Sequence, residues 1–319
     1  MSDYKFMVRI YCRTYNHEKY IIDALNGFAD QQTNFPFVAT IVEDCSKDNT
    51  AKLIQQYVEN YFDLDDSSVA YKKETEYAKI TYAQHKTNKN CFFAVLLLNY
   101  NHHQLRKSVF PYIEEWTNNS KYFIVNEGDD FFCDSLKLQK QVDFLEANPN
   151  CSVCTHASKL LYPDNSIEVV HSYDQDLKIC PTQDIIITKK GFLNTNSMLN
   201  RYFTPPESRP DWLRDCPISD IATKLYLLSK GDFGYIDEVL SCYRMNSEGS
   251  WSVRQSQSFK KTIKHHVAMW KFWRRYDKIT LKKHHNIIKA KIKSNNTALI
   301  KSVPFLILGI IKGKASMIH

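Results

Sequence analysis

Apolar runs and helical spacings alternate along the first 150 residues of the chain. Four apolar runs are typical of buried strands: "FMVRIYC", "FVATIVED", "CFFAVLLL" and "KYFIVNEG". Helical spacing predicts helices over 18–28, over 45–62 with Asp48 or Asn49 as N-cap, near 110–116 and over 135–148. Strands that alternate with helices predict parallel pairing, and in such sheets ligands bind at the carboxyl ends of the strands.

The rest of the chain is less regular. We expect a strand with Cys151 and Cys154 in the core, loops over about 160–210, a helix over about 220–229 and a short strand pair around "GYIDEVLSCYRM". Residues 258–300 have helical spacing. The last apolar run, "SVPFLILGIIKGK", is too short to span a membrane, so it either lies in a membrane interface or docks on the core as a terminal helix.

Charge is unevenly distributed over the 319 residues. Lys and Arg outnumber Asp and Glu by 42 to 35, yet from Lys260 onward 15 basic residues accompany one acid, Asp277. An acidic body with a basic tail predicts a negatively charged partner for the tail, and we expect an anionic membrane surface. Nucleic acid is the weakest alternative, because it would explain the tail but not the acidic body.

The cysteines and the lengths of the apolar runs indicate the cellular compartment of the protein. Nine cysteines, an odd number set mostly among apolar neighbours, are typical of reduced thiols in the cytosol. Cys151 and Cys154 form one C-x-x-C without a second pair, so we do not expect a zinc site. "MSDYKFMVRI" lacks a signal-peptide apolar region, and no run approaches the roughly 20 apolar residues of a spanning helix. We therefore expect a cytoplasmic protein.

Three carboxylates lie within four residues at the end of a predicted strand, in "YFIVNEGDDFF". Glu127, Asp129 and Asp130 repel one another unless a cation or solvent relieves them, so the segment indicates either a site for a hard divalent metal or a solvated turn. The polar segments "RTYN" and "EDCS" end two other predicted strands. Three polar loops should therefore converge on one edge of the sheet.

Three segments, in order, resemble motifs of family 2 glycosyltransferases: "YNHEKYIIDALNGFADQQTNFPFVATIVEDCSKDNT", "KYFIVNEGDDFFCDSLKLQKQVDFLE" and "SDIATKLYLLSKGDFGYIDEVLSCYRMNSEGSWS". The resemblance covers about residues 7–254 and is closest to bacterial enzymes that build capsular or lipopolysaccharide glycans. It implies an α/β protein of the GT-A class, with a Rossmann-like mixed sheet flanked by helices over 1–254. Residues 255–319 lie beyond the resemblance, and their charge and helical spacing predict a basic helical C-terminal extension that either contacts a membrane surface or packs on the core.

The resemblance also implies roles for individual residues. It places the nucleotide of a sugar donor against Thr14, Tyr15, Asn16, Asp44, Ser46, Glu127, Gly128 and Asp129. Within this set Asp129 binds Mn²⁺ or Mg²⁺, which bridges the diphosphate and offsets charge on the leaving group. Asp130, Asn196, Ser197 and a lid residue, Trp251, are expected in loops that contact the donor or the acceptor.

The general base implied by the resemblance is Asp220, in "PISDIATKLYLLSKG", which would take the proton of the acceptor hydroxyl. The alternative is a helix N-terminal carboxylate favoured by the macrodipole. Asp211 lies too early for the motif spacing. Ser219, Ile221 and Asn246 depart from the family pattern.

The resemblance thus implies an inverting, metal-dependent transferase. It would move a hexosyl or N-acetylhexosaminyl group from a nucleotide sugar, with UDP favoured, to a hydroxyl of a growing surface glycan or a lipid-linked acceptor at the inner face of the cell membrane. One alternative is a catalytically silent nucleotide-sugar-binding subunit of a glycan synthase complex. Another is a nucleotidyltransferase, which would need a Gly-rich basic phosphate loop that "RTYNHEKY" lacks.

Overall fold

The computed structural model describes residues 4–173, 177–187, 193–201, 209–245 and 259–297. The chain divides into two compact units. The first comprises Met1–Cys180, Lys190–Ser208 and Leu227–Met245, and the second comprises Pro181–Lys189, Arg209–Tyr226 and Asn246–His319. The domain boundary predicted between residues 254 and 255 lies outside the described residues, as does the apolar run that begins at residue 302.

The first unit is built on one mixed sheet of twelve strands with helices beside it. The strands are β1 Phe6–Thr14, β2 Phe37–Glu43, β3 Phe62–Asp63, β4 Tyr71–Glu74, β5 Ala78–His85, β6 Cys91–Leu98, β7 Ser120–Glu127, β8 Phe131–Phe132, β9 Cys151–Leu161, β10 Ile167–Val170, β11 Leu199–Asn200 and β12 Asp232–Arg244. The helices are α1 Ile21–Ala29, α2 Thr50–Tyr61, α3 His102–Leu105, α4 Phe110–Asn118 and α5 Lys137–Ala147.

The second unit is helical where it is described. Its helices are α6 Thr182–Ile187, α7 Ser219–Leu228, whose last two residues belong to the first unit, α8 Phe259–Ile279 and α9 over residues 285–297. Phe272, Trp273 and Tyr276 are buried along α8, and Trp212 packs on two of these rings. None of the described helices combines the length and apolar character needed to cross a bilayer.

The strand order brings the predicted loops together. The order is β3-β5-β6-β2-β1-β7-β11-β9-β12-β8, and the neighbours β6, β2, β1 and β7 are all parallel. Thr14 of β1 aligns with Glu43 of β2, and Arg13 aligns with Glu127 of β7. The loops after β1, β2 and β7 therefore leave the sheet at the same edge, as the alternation of strands and helices predicts.

Burial explains why most elements form where the sequence places them. All seven residues of β2 are buried, which is the environment that a continuous apolar run requires in a parallel sheet. The prediction of a short strand pair around 234–245 is wrong, because β12 is one 13-residue strand paired in parallel with β9. Register shifts between Ile236 and Ser241 let this strand pass through the polar residues Asp237 and Glu238 without ending.

A lysine is fully buried at the start of α5. Lys137 Nζ lies 2.6 Å from Gln141 Oε1 and 2.8 Å from His156 Nε2. Burial lowers the pKa of Lys137 to about 7 and the pKa of His156 well below its usual value. The neutral amine can donate one hydrogen to each neighbour, so the group of three side chains is satisfied without a buried charge.

We predict that Lys137 makes folding more favourable as the pH rises from about 7 to 10.5. Its pKa is lower in the folded chain than the ordinary value of 10.5, so over this window the unfolded chain binds more protons. In urea unfolding, the free energy of unfolding of the wild type minus that of Lys137→Met should therefore increase with pH over this window. Lys140→Met is the control, because Lys140 lies on the same helix but forms ion pairs with Asp134 and Glu238 and is not fully buried. A difference that is constant over this pH range would contradict the prediction.

Candidate functional site

Polar side chains tie the loops after β1 and β2 to each other. The backbone of Asn16 has φ of 56°, a left-handed conformation that asparagine tolerates better than most residues. Its N–H donates to Ser46 Oγ at 2.9 Å, and its Oδ1 accepts from the Lys47 N–H at 2.9 Å. The His17 N–H donates to Thr50 Oγ1 at 2.8 Å. Asn16 and Ser46, both predicted to bind a donor nucleotide, thus help to hold the two loops as one surface.

Asp44, at the end of β2, anchors the loop that follows β6. Its Oδ1 accepts from the His102 N–H at 2.6 Å, and its Oδ2 accepts from the His103 N–H at 3.1 Å, so it binds the first turn of α3. Each carboxylate oxygen can accept a further hydrogen bond, so these contacts are compatible with binding a base. The neighbouring Glu43 is buried and accepts from the Ser46 N–H at 2.7 Å, and burial raises its pKa.

Two arginines offset the negative charge of residues 127–130, the acidic segment at the end of β7. Arg13 of β1 forms an ion pair with Glu127. Arg244, the last residue of β12, donates to the main-chain oxygen of Asp129 and forms an ion pair with Asp23 of α1. The sequence indicated a metal or solvent as the means of relieving repulsion among these carboxylates. The structure adds cationic side chains of the protein itself.

Asp130 is the buried member of the acidic segment. Its side chain is 1% exposed, Oδ1 accepts from the Arg244 N–H at 2.9 Å, and Oδ2 has no hydrogen-bond partner among the described residues. Burial raises the pKa of Asp130 well above its ordinary value, and the charge of Asp129 adds to the effect. A buried carboxyl of raised pKa favours a supporting role over the direct contact with donor or acceptor that the family resemblance implies.

Gly128 lies where the β1 loop and the acidic segment are in close contact. A Cβ at this position would lie 2.6 Å from Thr14 Oγ1 and 2.8 Å from His17 Nδ1, so a larger residue would force the loops apart. Thr14 is buried with its Oγ1 3.2 Å from His17 Nδ1, whereas Tyr15 is half-buried. The half-buried ring of Tyr15 offers an aromatic surface in this loop for packing on a base.

The acidic segment fits a metal that is bound together with a phosphate-bearing ligand. Among the described residues, no three His, Cys, Asp or Glu side chains come together as a complete metal site. Arg13 forms an ion pair with Glu127, the main-chain N–H of Arg244 donates to Asp130, and Asp129 is half-buried. Mg²⁺ is commonly bound by one or two carboxylates while substrate phosphates and water supply the other oxygens. Asp129 suits that mode and does not suit a site made by protein ligands alone.

Arg244 is a site residue that the sequence analysis did not single out. Its guanidinium carbon lies 5.0 Å from the ring centroid of Tyr20 and 4.8 Å from that of Phe131, in addition to its bonds with the acidic segment. The residue stands two positions before Asn246, one of the departures from the family pattern. One sequence signal could have identified Arg244. It is an arginine at the end of a predicted strand, in a chain whose acidic loop needs a positive charge.

Asn196 and Ser197 lie in the core. Asn196 donates through Nδ2 to the Cys242 main-chain oxygen and accepts from Ser241 Oγ, while Ser197 Oγ lies 2.8 Å from Thr155 Oγ1. Both side chains are fully buried, which favours a structural role over the sugar recognition predicted for them. Trp251 and Asn246 lie outside the described residues.

Asp220 lies in the second unit, in the first turn of α7. Its side chain is exposed, and Ser219 Oγ donates to its Oδ1 at 3.4 Å. One turn further on, burial lowers the pKa of Lys224 to about 8, and the charge of Asp220 opposes that shift. Asp211 is in a short 3₁₀ helix with its side chain 87% exposed.

Comparison with known proteins gives relatives of low identity and a shared fold. No family model matches the chain. Uncharacterised proteins from Mycobacterium bovis and Mycobacterium tuberculosis are 27% identical over 265 residues, which cover 80% of the chain and 64% of the relatives. The chain therefore spans less than two thirds of the length of these curated relatives.

Two solved structures resemble the chain over nearly its whole length. One is S. aureus TarS 1-349 in complex with UDP-GlcNAc, with a TM-score of 0.55, 17% identity and coverage of 92% of this chain and 73% of that one. The other is a mannosyltransferase from Pyrobaculum calidifontis in complex with GDP-Man and Mn²⁺, with a TM-score of 0.50, 10% identity and coverage of 99% and 82%. The likeness confirms the predicted α/β fold, a GT-A-like mixed sheet flanked by helices.

We predict that Arg244 contributes more to stability than Arg13 does. In its ion pair with Asp23, the Arg244 side chain is 12% exposed, whereas in its ion pair with Glu127 the Arg13 side chain is 50% exposed. Water therefore screens the Arg13–Glu127 pair far more. Arg244→Met should lower the free energy of unfolding by about 3 kcal/mol, the upper range for hydrogen bonds to charged groups. Arg13→Met, the matched control, should change it by less than about 1 kcal/mol.

Urea unfolding gives both values, and hydrogen exchange reports the local effect. The backbone amide of Asp130 should exchange faster in Arg244→Met than in Arg13→Met, because only Arg244→Met removes the guanidinium that donates to the main-chain oxygen of the neighbouring Asp129. Equal destabilisation by the two substitutions would refute the prediction.

Proposed function

We propose that the chain transfers a sugar from a nucleotide-sugar donor to a hydroxyl of a glycan acceptor. The observation that carries this proposal is the meeting of the loops after β1, β2 and β7 at one edge of a GT-A-like sheet, with Asp129 at the end of β7. The donor class is supported by two structures of similar fold, because one contains UDP-GlcNAc and the other GDP-Man with Mn²⁺.

The donor nucleotide binds across these loops. Tyr15 packs on the base and Asp44 accepts a hydrogen bond from it, with uracil favoured by the family resemblance. Glu127 and Gly128 lie beside the diphosphate, where Arg13 and the close contact with Thr14 hold the segment in place. Mn²⁺ or Mg²⁺ would be held by Asp129 with the diphosphate and would stabilise charge on the leaving nucleoside diphosphate.

Transfer is a direct displacement with Asp220 as general base. The acceptor oxygen attacks the anomeric carbon as Asp220 takes the hydroxyl proton, and the bond between that carbon and the diphosphate oxygen breaks. Attack opposite the leaving group inverts the anomeric configuration. The exposed carboxylate of Asp220, in the first turn of α7, is accessible to an acceptor, which supports this assignment.

The finer assignment follows the family resemblance. We place the chain among family 2 glycosyltransferases as a hexosyl- or N-acetylhexosaminyltransferase of bacterial surface glycan synthesis. It would act in the cytoplasm at the inner face of the membrane, on a capsular, lipopolysaccharide or lipid-linked acceptor. The second candidate is a silent nucleotide-sugar-binding subunit, because Ser219 and Ile221 depart from the family pattern and Ser219 donates to the carboxylate of Asp220.

Turnover with a panel of UDP-, GDP- and dTDP-sugars, with Mn²⁺ and mixed glycan acceptors, tests the proposal. Asp129→Asn should abolish metal-dependent donor binding and turnover together. Asp220→Asn should bind the donor normally and lose about 10²- to 10⁴-fold in transfer, the usual contribution of a general base. Asp211→Asn, at an exposed aspartate of the same unit, is the control and should leave both unchanged.

The outcomes separate the candidates. Donor binding that depends on Asp129, without turnover for any acceptor, would favour the silent subunit. If no nucleotide sugar binds in the presence of metal, the proposal fails.

A further inference from the structure

One face of α8 is basic along most of the helix. Its exposed positions from Lys264 to Lys278 recur mostly at spacings of three and four, which places them within an arc of about 100°. They are Lys264, Val267, Lys271, Arg274, Arg275 and Lys278. This basic face of α8 is about 21 Å long at 1.5 Å per residue. Met269, Phe272, Trp273 and Tyr276 are buried on the opposite side.

An exposed leucine stands at the end of this face. Leu281 is 89% exposed, and Ile279 beside it is 43% exposed. Leu281 and Lys282 have φ of 49° and 61°, a left-handed conformation that costs energy for residues with a Cβ. Two successive residues in this conformation present the apolar side chain of Leu281 to solvent between lysines on both sides. We call residues 279–283 the Leu281 tip.

The tip has a defined conformation. The Leu281 N–H donates to the Lys278 main-chain oxygen at 3.0 Å, and the Lys282 N–H donates to the Asp277 main-chain oxygen at 2.8 Å. Thr280 Oγ1 also donates to the Tyr276 main-chain oxygen at 3.0 Å. Because hydrogen bonds fix the turn, the exposure of Leu281 is a feature of the fold.

Acidic side chains are nearly absent from this region. Residues 263–297, all of them described, include ten lysines and arginines and one acid, Asp277. The Asp277 side chain is 14% exposed, and one of its carboxylate oxygens lies 2.7 Å from His285 Nδ1. Arg275 forms an ion pair with Asp215, so the positive charge of the basic face comes from its other lysines and arginines. The surface is therefore cationic with apolar side chains at one end.

We propose that the basic face of α8 and the Leu281 tip form a docking surface for an anionic lipid bilayer. Lysine and arginine heads face the lipid phosphates while Leu281 and Ile279 enter the interface, a combination typical of interfacial helices. A nucleic acid would satisfy the cations but would leave the leucine in water, so the apolar tip favours lipid. The proposal concerns attachment and stands independently of the transferase activity.

Flotation of the full chain with lipid vesicles tests this surface. Vesicles of phosphatidylcholine alone are compared with vesicles that also contain phosphatidylglycerol, at low and high salt. Binding should require phosphatidylglycerol and weaken with salt. Lys271→Gln with Lys278→Gln should weaken it about 25-fold, at about fivefold for each cation removed. Leu281→Ser should weaken it about tenfold, as expected for the loss of a buried leucine side chain.

Matched controls come from the other unit. Ile167→Ser replaces an exposed apolar residue of β10, and Lys72→Gln with Lys73→Gln removes two exposed cations of β4. These variants should bind vesicles like the wild type. Nucleotide-sugar binding without vesicles should be the same in all variants. A failure of the membrane-docking proposal can therefore be distinguished from a failure of the transferase proposal.

Four results would overturn the proposal. One is binding to phosphatidylcholine alone with equal strength, and a second is anionic binding that the α8 and Leu281 variants leave intact. A third is a dimer in solution that Leu281→Ser dissociates while vesicle binding is unaffected, which would assign the tip to a second copy of the chain. The fourth is binding to an oligonucleotide but not to vesicles.

Discussion

Repulsion among the carboxylates at the end of β7 is the constraint on which the candidate site depends. The strand delivers Glu127, Asp129 and Asp130 to one edge of the sheet, and the fold must offset their charge to keep them there. Arg13 on β1 pairs with Glu127, and the guanidinium of Arg244 on β12 donates to the Asp129 main-chain oxygen. Burial raises the pKa of Asp130, which favours its uncharged form. The acidic segment therefore has its observed conformation only when distant parts of the sheet are assembled.

The sheet order explains how these parts meet. β1 lies beside β7, and the short strand β8, which follows the acidic segment, pairs with β12 close to Arg244. Gly128 then allows the β1 loop to approach within contact distance. The same edge receives the β2 loop through the register of β1 and β2, so one set of strand pairings builds both the charge balance and the proposed donor surface.

Sequence patterns predicted the parts of the fold that depend on local burial. The run over 91–98 matches β6, Cys91–Leu98, because a strand buried on both faces is continuously apolar. Long-range pairing was not predictable in this way, since Arg244 and Asp129 are 115 residues apart in the chain. Asn196 was predicted to be a loop residue that contacts a sugar, because its hydrogen-bond partners on β12 are also distant in the sequence.

The most direct test of the donor site is a crystal structure with UDP and Mn²⁺, with data collected at the manganese absorption edge. The account predicts one strong anomalous peak in contact with Asp129 and the diphosphate, with the uracil packed on Tyr15 and hydrogen-bonded to Asp44. A nucleotide bound away from the loops after β1, β2 and β7, or manganese bound by residues other than Asp129, would contradict it.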